Sequence, residues 1–384
     1  MPLYPQGGGL YPNSIDNVLL ADMADATVKG RAKGAGTGDP QDLTAAQLGL
    51  LLGGPNFRNI LGRNGGFEVW QRGAGGSAAF SVAAGGGLYA ADGWFIQTGA
   101  NEQCSVGQTA GITAGSRWAA YVSRNAGQTG TGPIFFEFPL DADEIFTMRS
   151  SIVTLSFTSY ALANWSPAGG ILTCTLFTGT GAVAKAIGGY TNLVQPVQIN
   201  AALTGVATRF SATSPAIVPA NITQASVVFQ WTPVGTAGAN DVAIIDDVQL
   251  EIGSIATPFE RRPFESELLA CRRHFQKSFQ YAAAPAANAD SSSAVSTPQI
   301  VGASQAHYPA SIPFPVAMRA TPTIAFFNPG AAGAQARNYG TGTDCTLTAT
   351  WSVGMDRFTY STTTPAGSAA GQPILVNYTA DAGI

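Results

Sequence analysis

What most constrains this chain is a rhythm. Apolar residues alternate with polar ones at 118–122, 153–157, 227–231 and 248–252, the period of a strand buried on one face. Clusters of Gly, Pro, Asn and Ser separate these runs, with no long helical period between them. Many short strands joined by turns predict a mainly β fold, an antiparallel sandwich over 61–262.

The rhythm changes once, within "VQLEIGSIATPFERRPFESELLACRRHF" (248–275). Val248, Leu250 and Ile252 keep the strand period. Beyond Pro263, Leu268, Cys271, Phe275 and Phe279 fall three, four and four residues apart, one stripe of a helix. Glu265 and Glu267 in the first turn, with Arg272, Arg273 and Lys277 following, suit the helix dipole. The spacing predicts an amphipathic helix over about 265–281, inside a connecting segment, 263–298, that ends in low-complexity chain.

A second antiparallel β-region follows at 299–384. It carries alternation at 323–327, a face of Leu347, Ala349, Trp351 and Val353, and another of Ile374, Val376 and Tyr378. A core of fewer than a hundred residues is small. Extra burial between copies is therefore expected, and a stripe of Leu268, Cys271, Phe275 and Phe279 could pack copies about a shared axis. The alternative is a helix lying back on its own sandwich.

Residues 1–60 read as an arm. "KGRAKGAGTGDP" (29–40) has no apolar period and suggests extended or mobile chain. A short helix is expected next, because Thr44 and Gln47 have capping-box spacing, Leu43 and Leu48 can staple it, and Gly53–Gly54 can stop it.

Composition removes several classes. Charged residues make up 11% of the chain and the net charge is −4, so no basic stripe exists to displace counterions from a nucleic acid. No run of 18 apolar residues suggests membrane insertion. "MPLYPQGGGLYP" lacks the charged and apolar parts of a secretory signal, so synthesis in a cytoplasm is expected. Cys104, Cys174, Cys271 and Cys345 are far apart, which favours buried thiols over zinc or disulfides.

Catalytic equipment is sparse. His274 and His307 are the only histidines and have no partner at zinc spacing. No G-x-S-x-G, P-loop or complete G-x-G-x-x-G occurs. Two acid groups have the composition a glycosidase needs. Asp141, Asp143 and Glu144 read as a solvated loop. Asp246 shares the face of Ile244 and Val248, so its carboxylate is buried and needs a partner. A bulge, a backbone hydrogen-bond network or a structural calcium ion would each satisfy it. The expectation is a protein that is not an enzyme, with no cofactor beyond that calcium alternative.

Aromatic residues in polar loops are the binding candidates, since an open ring face stacks on a sugar. Trp165 and Tyr190 qualify in the sandwich. Tyr339 qualifies in the C-terminal region, with the Asn338 amide beside it to bond sugar hydroxyls. Core packing is the alternative for each ring.

Several stretches carry a family likeness. "TVKGRAKGAGTGDPQDLTAAQLGLLL" (27–52) resembles a segment near the start of bacteriophage tail-fibre and related virion-fibre proteins. "NILGRNGGFEVWQRG" (59–73) and "IIDDVQLEIGSIATPFERRPFESELLACRRHF" (244–275) resemble the opening and closing of a jelly roll in such fibres, similar to carbohydrate-binding modules. "IPFPVAMRATPTIAF" (312–326) looks like the start of a fibre's C-terminal β-region. The resemblance implies a trimeric, non-enzymatic adhesin of the virion. Its arm would attach to other virion proteins and its distal end, 299–384, would bind host cell-surface glycan. A purely structural head or tail fibre and a capsule-degrading glycosidase are the rival readings.

Overall fold

The computed structural model describes residues 27–30, 40–44, 58–76, 78–298 and 301–383. The chain divides into two compact units, 1–56 and 57–384.

In the first unit, Thr27–Gly30 and Gln41–Thr44 form an antiparallel hairpin. Lys29 and Asp42 pair across it at 2.6 Å, and Leu43 is buried. A Cβ on Gly30 would lie 2.7 Å from Leu43 Cδ1, so a side chain there would have to push the leucine aside. The first two residues of the stretch expected to be unpatterned, 29 and 30, therefore belong to a paired strand, and its far end leads into the partner strand. Thr44 ends a strand, and the expected helix beyond it lies outside the described residues.

In the second unit, two six-stranded antiparallel sheets face each other. One runs in the order Val194–Ala202, Ile171–Gly179, Gln224–Trp231, Ile134–Pro139, Phe95–Thr98, Gly87–Tyr89. The other runs Thr208–Thr213, Val153–Ala161, Val242–Ile252, Trp118–Arg124, Cys104–Ala110, Ala79–Val82. The alternating residues of both sheets meet in a core that centres on Trp94, whose ring lies 4.9 Å from both Phe67 and Phe136 and 5.9 Å from Phe229. All four cysteines are free and buried.

The opening and closing segments are stitched to one another. Ile60 N donates to Leu250 O at 2.7 Å and Val248 N to Gly65 O at 2.9 Å, while Asn59 Nδ2 donates to Val248 O at 3.0 Å. Asn64 takes left-handed backbone at φ 47, which asparagine tolerates better than most residues. Its buried amide donates to Val69 O and Asp92 O. A Cβ on Gly65 would stand 2.4 Å from Val248 O, so only glycine lets the two segments meet.

The acid group at 141–144 is not a solvated loop. Asp141 caps the helix Ala142–Met148 in a capping box with Glu144, the reciprocal arrangement that satisfies two orphan N–H groups. Glu144 also holds Arg63 at 2.6 Å.

The expected long helix is shorter, and its stripe is spent within the chain. The helix spans Phe264–Arg272, and Phe275–Lys277 is a strand. Leu268 and Cys271 pack on Val69 of the sandwich, and Glu267 accepts from Asn64 N at 2.7 Å. Phe275 lies under the Arg72 guanidinium at 4.1 Å, and Phe279 meets the Phe327 ring at 5.5 Å. All four stripe residues are buried. The alternative of a helix lying on its own sandwich is the one realised, and the stripe offers no seam to another copy.

After the helix the chain turns back. The last strand, Pro373–Asp381, pairs with Phe275–Lys277, Val295–Pro298, Thr323–Phe327 and Arg337–Asn338. A second core of Phe358, Tyr360, Ile374, Val376 and Tyr378 lies against it. Among the described residues no helix is long and apolar enough to cross a membrane.

Candidate ligand groove

The residues singled out from the sequence are not gathered in one place. Trp165 donates through Nε1 to Gly170 O at 3.0 Å and packs 5.6 Å from Trp231, against the core. Tyr190 is buried, and its hydroxyl bonds Ala184 O and Ser226 Oγ. Both rings support loops, Tyr190 from a buried position and Trp165 from a half-buried one. Asn338 is also buried. Its amide nitrogen donates to Ser368 and Gln372, and its oxygen accepts from the Gly340 and Thr341 backbone. That amide organises its own loop and is not turned to a sugar, although Tyr339 beside it is exposed.

Asp246 takes two of its three alternatives together. The strand Val242–Ile252 slips register against Val153–Ala161 between Asp246 and Gln249, a bulge that turns Asp247 to φ 50. Asp246 Oδ2 accepts from Ile112 N at 3.0 Å and Oδ1 from Asp247 N at 2.7 Å. Burial, with the Asp247 charge next to it, pushes the Asp246 carboxyl up to about 7. Both oxygens accept from backbone N–H groups, so the Asp246 carboxyl has its polar partners within the chain. Among the described residues no group of three or more His, Cys, Asp or Glu is placed to bind a metal.

The same bulge opens a groove. Asp247 lies on the floor of a depression of roughly 570 Å³ walled by the loop after Cys104–Ala110, the edge strand Thr208–Thr213 and the exit loop after Ile252. Asp247 Oδ2 accepts from Thr113 Oγ1 at 2.6 Å and from Arg261 Nη2 at 2.9 Å. Asp247 Oδ1 is buried and has no hydrogen-bond partner, a costly state for an acceptor. Arg209 crosses the groove from the edge strand, anchored through Nη2 to Ser156 Oγ at 2.8 Å and Thr257 O at 2.7 Å. That leaves the outer side of its guanidinium fork for another group.

One wall is a ring. Phe259 is half-buried and lines both this groove and an adjoining recess of about 170 Å³ that contains Glu68, Arg117 and Arg262. Arg261 sits 5.3 Å from the centre of the ring. Burial raises the Glu68 carboxyl above its ordinary range, against the pull of Arg117 and Arg261. The groove thus offers a ring face, a guanidinium that donates and a carboxylate that accepts. This is the set that binds a polyhydroxylated ring by stacking and by paired hydrogen bonds.

Asp247 was visible in the sequence as part of an acid pair, but Arg209, Phe259 and Arg261 were not. The stretch "ATPFERR" (256–262) holds the available signal: a phenylalanine and arginines in a proline-marked loop, where a buried role is not the default.

No protein-family model matches the sequence, and no curated relative matches it. Among solved structures, the enzymatically active domain of bacteriophage CBA120 tailspike protein 4 is similar over 51% of this chain and 22% of its own, at 12% identity and a TM-score of 0.29. A structure described as "CBM4 structure and function" is similar over 50% of this chain and 98% of its own, at 16% identity and 0.29. The CBM22-2 xylan-binding domain from Paenibacillus barcinonensis Xyn10C is similar over 42% of this chain and 92% of its own, at 17% identity and 0.27. This chain spans about a fifth of the tailspike domain it is similar to, and its structural neighbours therefore include a phage tailspike domain and carbohydrate-binding modules.

Proposed function

We propose that this is a virion-fibre protein of a bacteriophage that attaches to a host by binding surface glycan, and that the sandwich groove is a glycan site. The observation that carries the reading is the buried, unpartnered Oδ1 of Asp247 at the floor of a groove flanked by Arg209 and Phe259. A sugar hydroxyl would satisfy that oxygen while an adjacent hydroxyl accepts from Arg209, and the apolar face of the ring would lie on Phe259. The sequence resemblance to virion fibres supplies the setting. The arm, 1–60, would join other virion proteins, and three linked copies would convert weak single contacts into firm adhesion. Because the helix stripe is buried in each chain, assembly would use other surfaces.

We hold the protein to be a binder and not a glycosidase. The nearest acid pair is Asp246–Asp247, but Asp246 is fully buried and does not line the groove, while Asp247 is held by Thr113 and Arg261, so the pair does not flank a glycosidic bond as an acid and its partner. The test is adsorption of the purified full chain to bacterial cells, with isolated surface polysaccharide as competitor. Saturable adsorption, blocked by the polysaccharide without release of reducing sugar, is expected. Release of reducing sugar, or adsorption to no bacterium in a broad panel, would contradict the reading.

A further inference from the structure

The strand Thr346–Val353 pairs with Arg357–Thr363 through two register shifts, between Thr346 and Ala349 and between Thr350 and Ser352. Trp351 falls in the second shift. Ala349 is exposed and Val353 half-buried, and the Trp351 side chain stands 70% exposed. Tyr308 follows the strand Ala306–His307, which pairs with Arg357–Thr363 as well, and it is 52% exposed. The two rings meet edge to face at 5.6 Å. Along Arg357–Thr363, Phe358, Tyr360 and Thr362 are buried while Thr359 and Ser361 take the other face. The Thr359 hydroxyl is itself buried and without a hydrogen-bond partner.

We propose that Trp351 and Tyr308 form a second binding ledge, for a neutral saccharide, independent of the sandwich groove. An exposed tryptophan at a bulge costs solvation that a packed one does not, and bulges next to functional sites re-aim side chains in this way. The ledge presents two exposed ring faces set edge to face, which match the C–H face of a pyranose. Its nearby charges, Asp356 and Arg357, pair with each other at 2.8 Å, leaving no uncompensated charge to select an anionic ligand. A second copy is a poorer occupant. Two rings present on the order of 150–250 Å² each, against roughly 800 Å² per partner for a stable interface. The two register shifts also spoil the edge for strand pairing.

The test uses the intact chain and hexamers of glucose, galactose and mannose as probes, read by saturation-transfer NMR and titration. At least one hexamer should bind, with transfer to its ring C–H protons. Trp351→Ala should weaken that binding roughly tenfold or more, and Trp351→Phe should retain part of it. Trp351 is exposed, so the melting temperature of either variant should stay close to that of the parent. Absence of binding by the parent chain would overturn the ledge. So would binding kept by Trp351→Ala, whether Arg209→Ala abolishes it, which assigns the sugar to the groove, or Trp351→Ala instead lowers the assembly mass, which makes the ledge a contact between copies.

Discussion

Arg72 and Asp381, 309 positions apart, form a two-pronged ion pair, with Nη1 2.6 Å from Oδ2 and Nη2 3.1 Å from Oδ1. The same guanidinium covers Phe275. The segment that opens the sandwich is thereby clamped to the last strand of the chain, so the C-terminal β-region packs beside the sandwich and is not carried away on a helical stalk. Arg72→Ala should destabilise the fold by about 1–3 kcal/mol, measured as a shift in urea midpoint. Burial would raise the Asp381 carboxyl, but the hydrogen bonds and charge of Arg72 hold it below its ordinary value. A depressed carboxyl contributes stability that is complete above the unfolded value of about 4 and is lost as pH falls through the folded one. Asp381→Asn should therefore flatten the acid limb of the stability curve.

His274 supplies a second pH dependence, of opposite charge type. Burial lowers its imidazole to about 2, helped by Arg63, Arg319 and Arg273. Asp141 at 3.8 Å does not reverse this, because the cations on the other sides outweigh one distant carboxylate. The unfolded chain takes up a proton below about 6.5 and the folded chain does not, so stability falls as pH drops from about 6.5 toward 2, by at most about 1.4 kcal/mol per unit. His274→Gln should reduce that slope between pH 6 and 4. An unchanged slope would mean that His274 is protonated in the fold.

The stripe gives the sharpest contrast between assembly and folding. Phe275 is 5% exposed within a single chain, so Phe275→Ala should cost about 3–5 kcal/mol. The loss should be the same at low and high protein concentration. A loss that vanishes as concentration rises would place Phe275 between copies.

Much of this architecture was legible in the sequence, because strand alternation is local. Val248, Leu250 and the runs around Phe157 and Phe229 lie in the core that their period indicates. What failed were features decided by partners distant in sequence. Phe275 and Phe279 keep a helical spacing but lie beyond the helix, because the strand Pro373–Asp381 offers backbone partners to Phe275–Lys277. Ala349 and Trp351 are both exposed, because the strand Thr346–Val353 lies beside Arg357–Thr363 with that face turned outward, and alternation does not tell which face is inward. Tyr190 looked open because its loop is polar, yet Ser226 and Ala184 lie in reach of its hydroxyl. The groove was hardest to see, since Arg209, Asp247 and Phe259 come from three separate segments.

Asp246 bears on metal binding. Its two oxygens accept two different backbone N–H groups, and asparagine can replace only one acceptor. Asp246→Asn should cost about 1–3 kcal/mol. Calcium or a chelator should leave the melting temperature of the parent chain unchanged. A rise with calcium would show that the carboxylate ligates an ion after all.

The central claim is that the sandwich groove binds glycan through Arg209, Asp247 and Phe259. Its most direct measurement is titration calorimetry of the intact chain with the surface polysaccharide that blocks its adsorption to cells, comparing the parent with Arg209→Ala and Phe259→Ala. Loss of the guanidinium or of the ring face should each weaken binding about tenfold, with the fold intact by circular dichroism. Affinity unchanged in both variants would contradict the account.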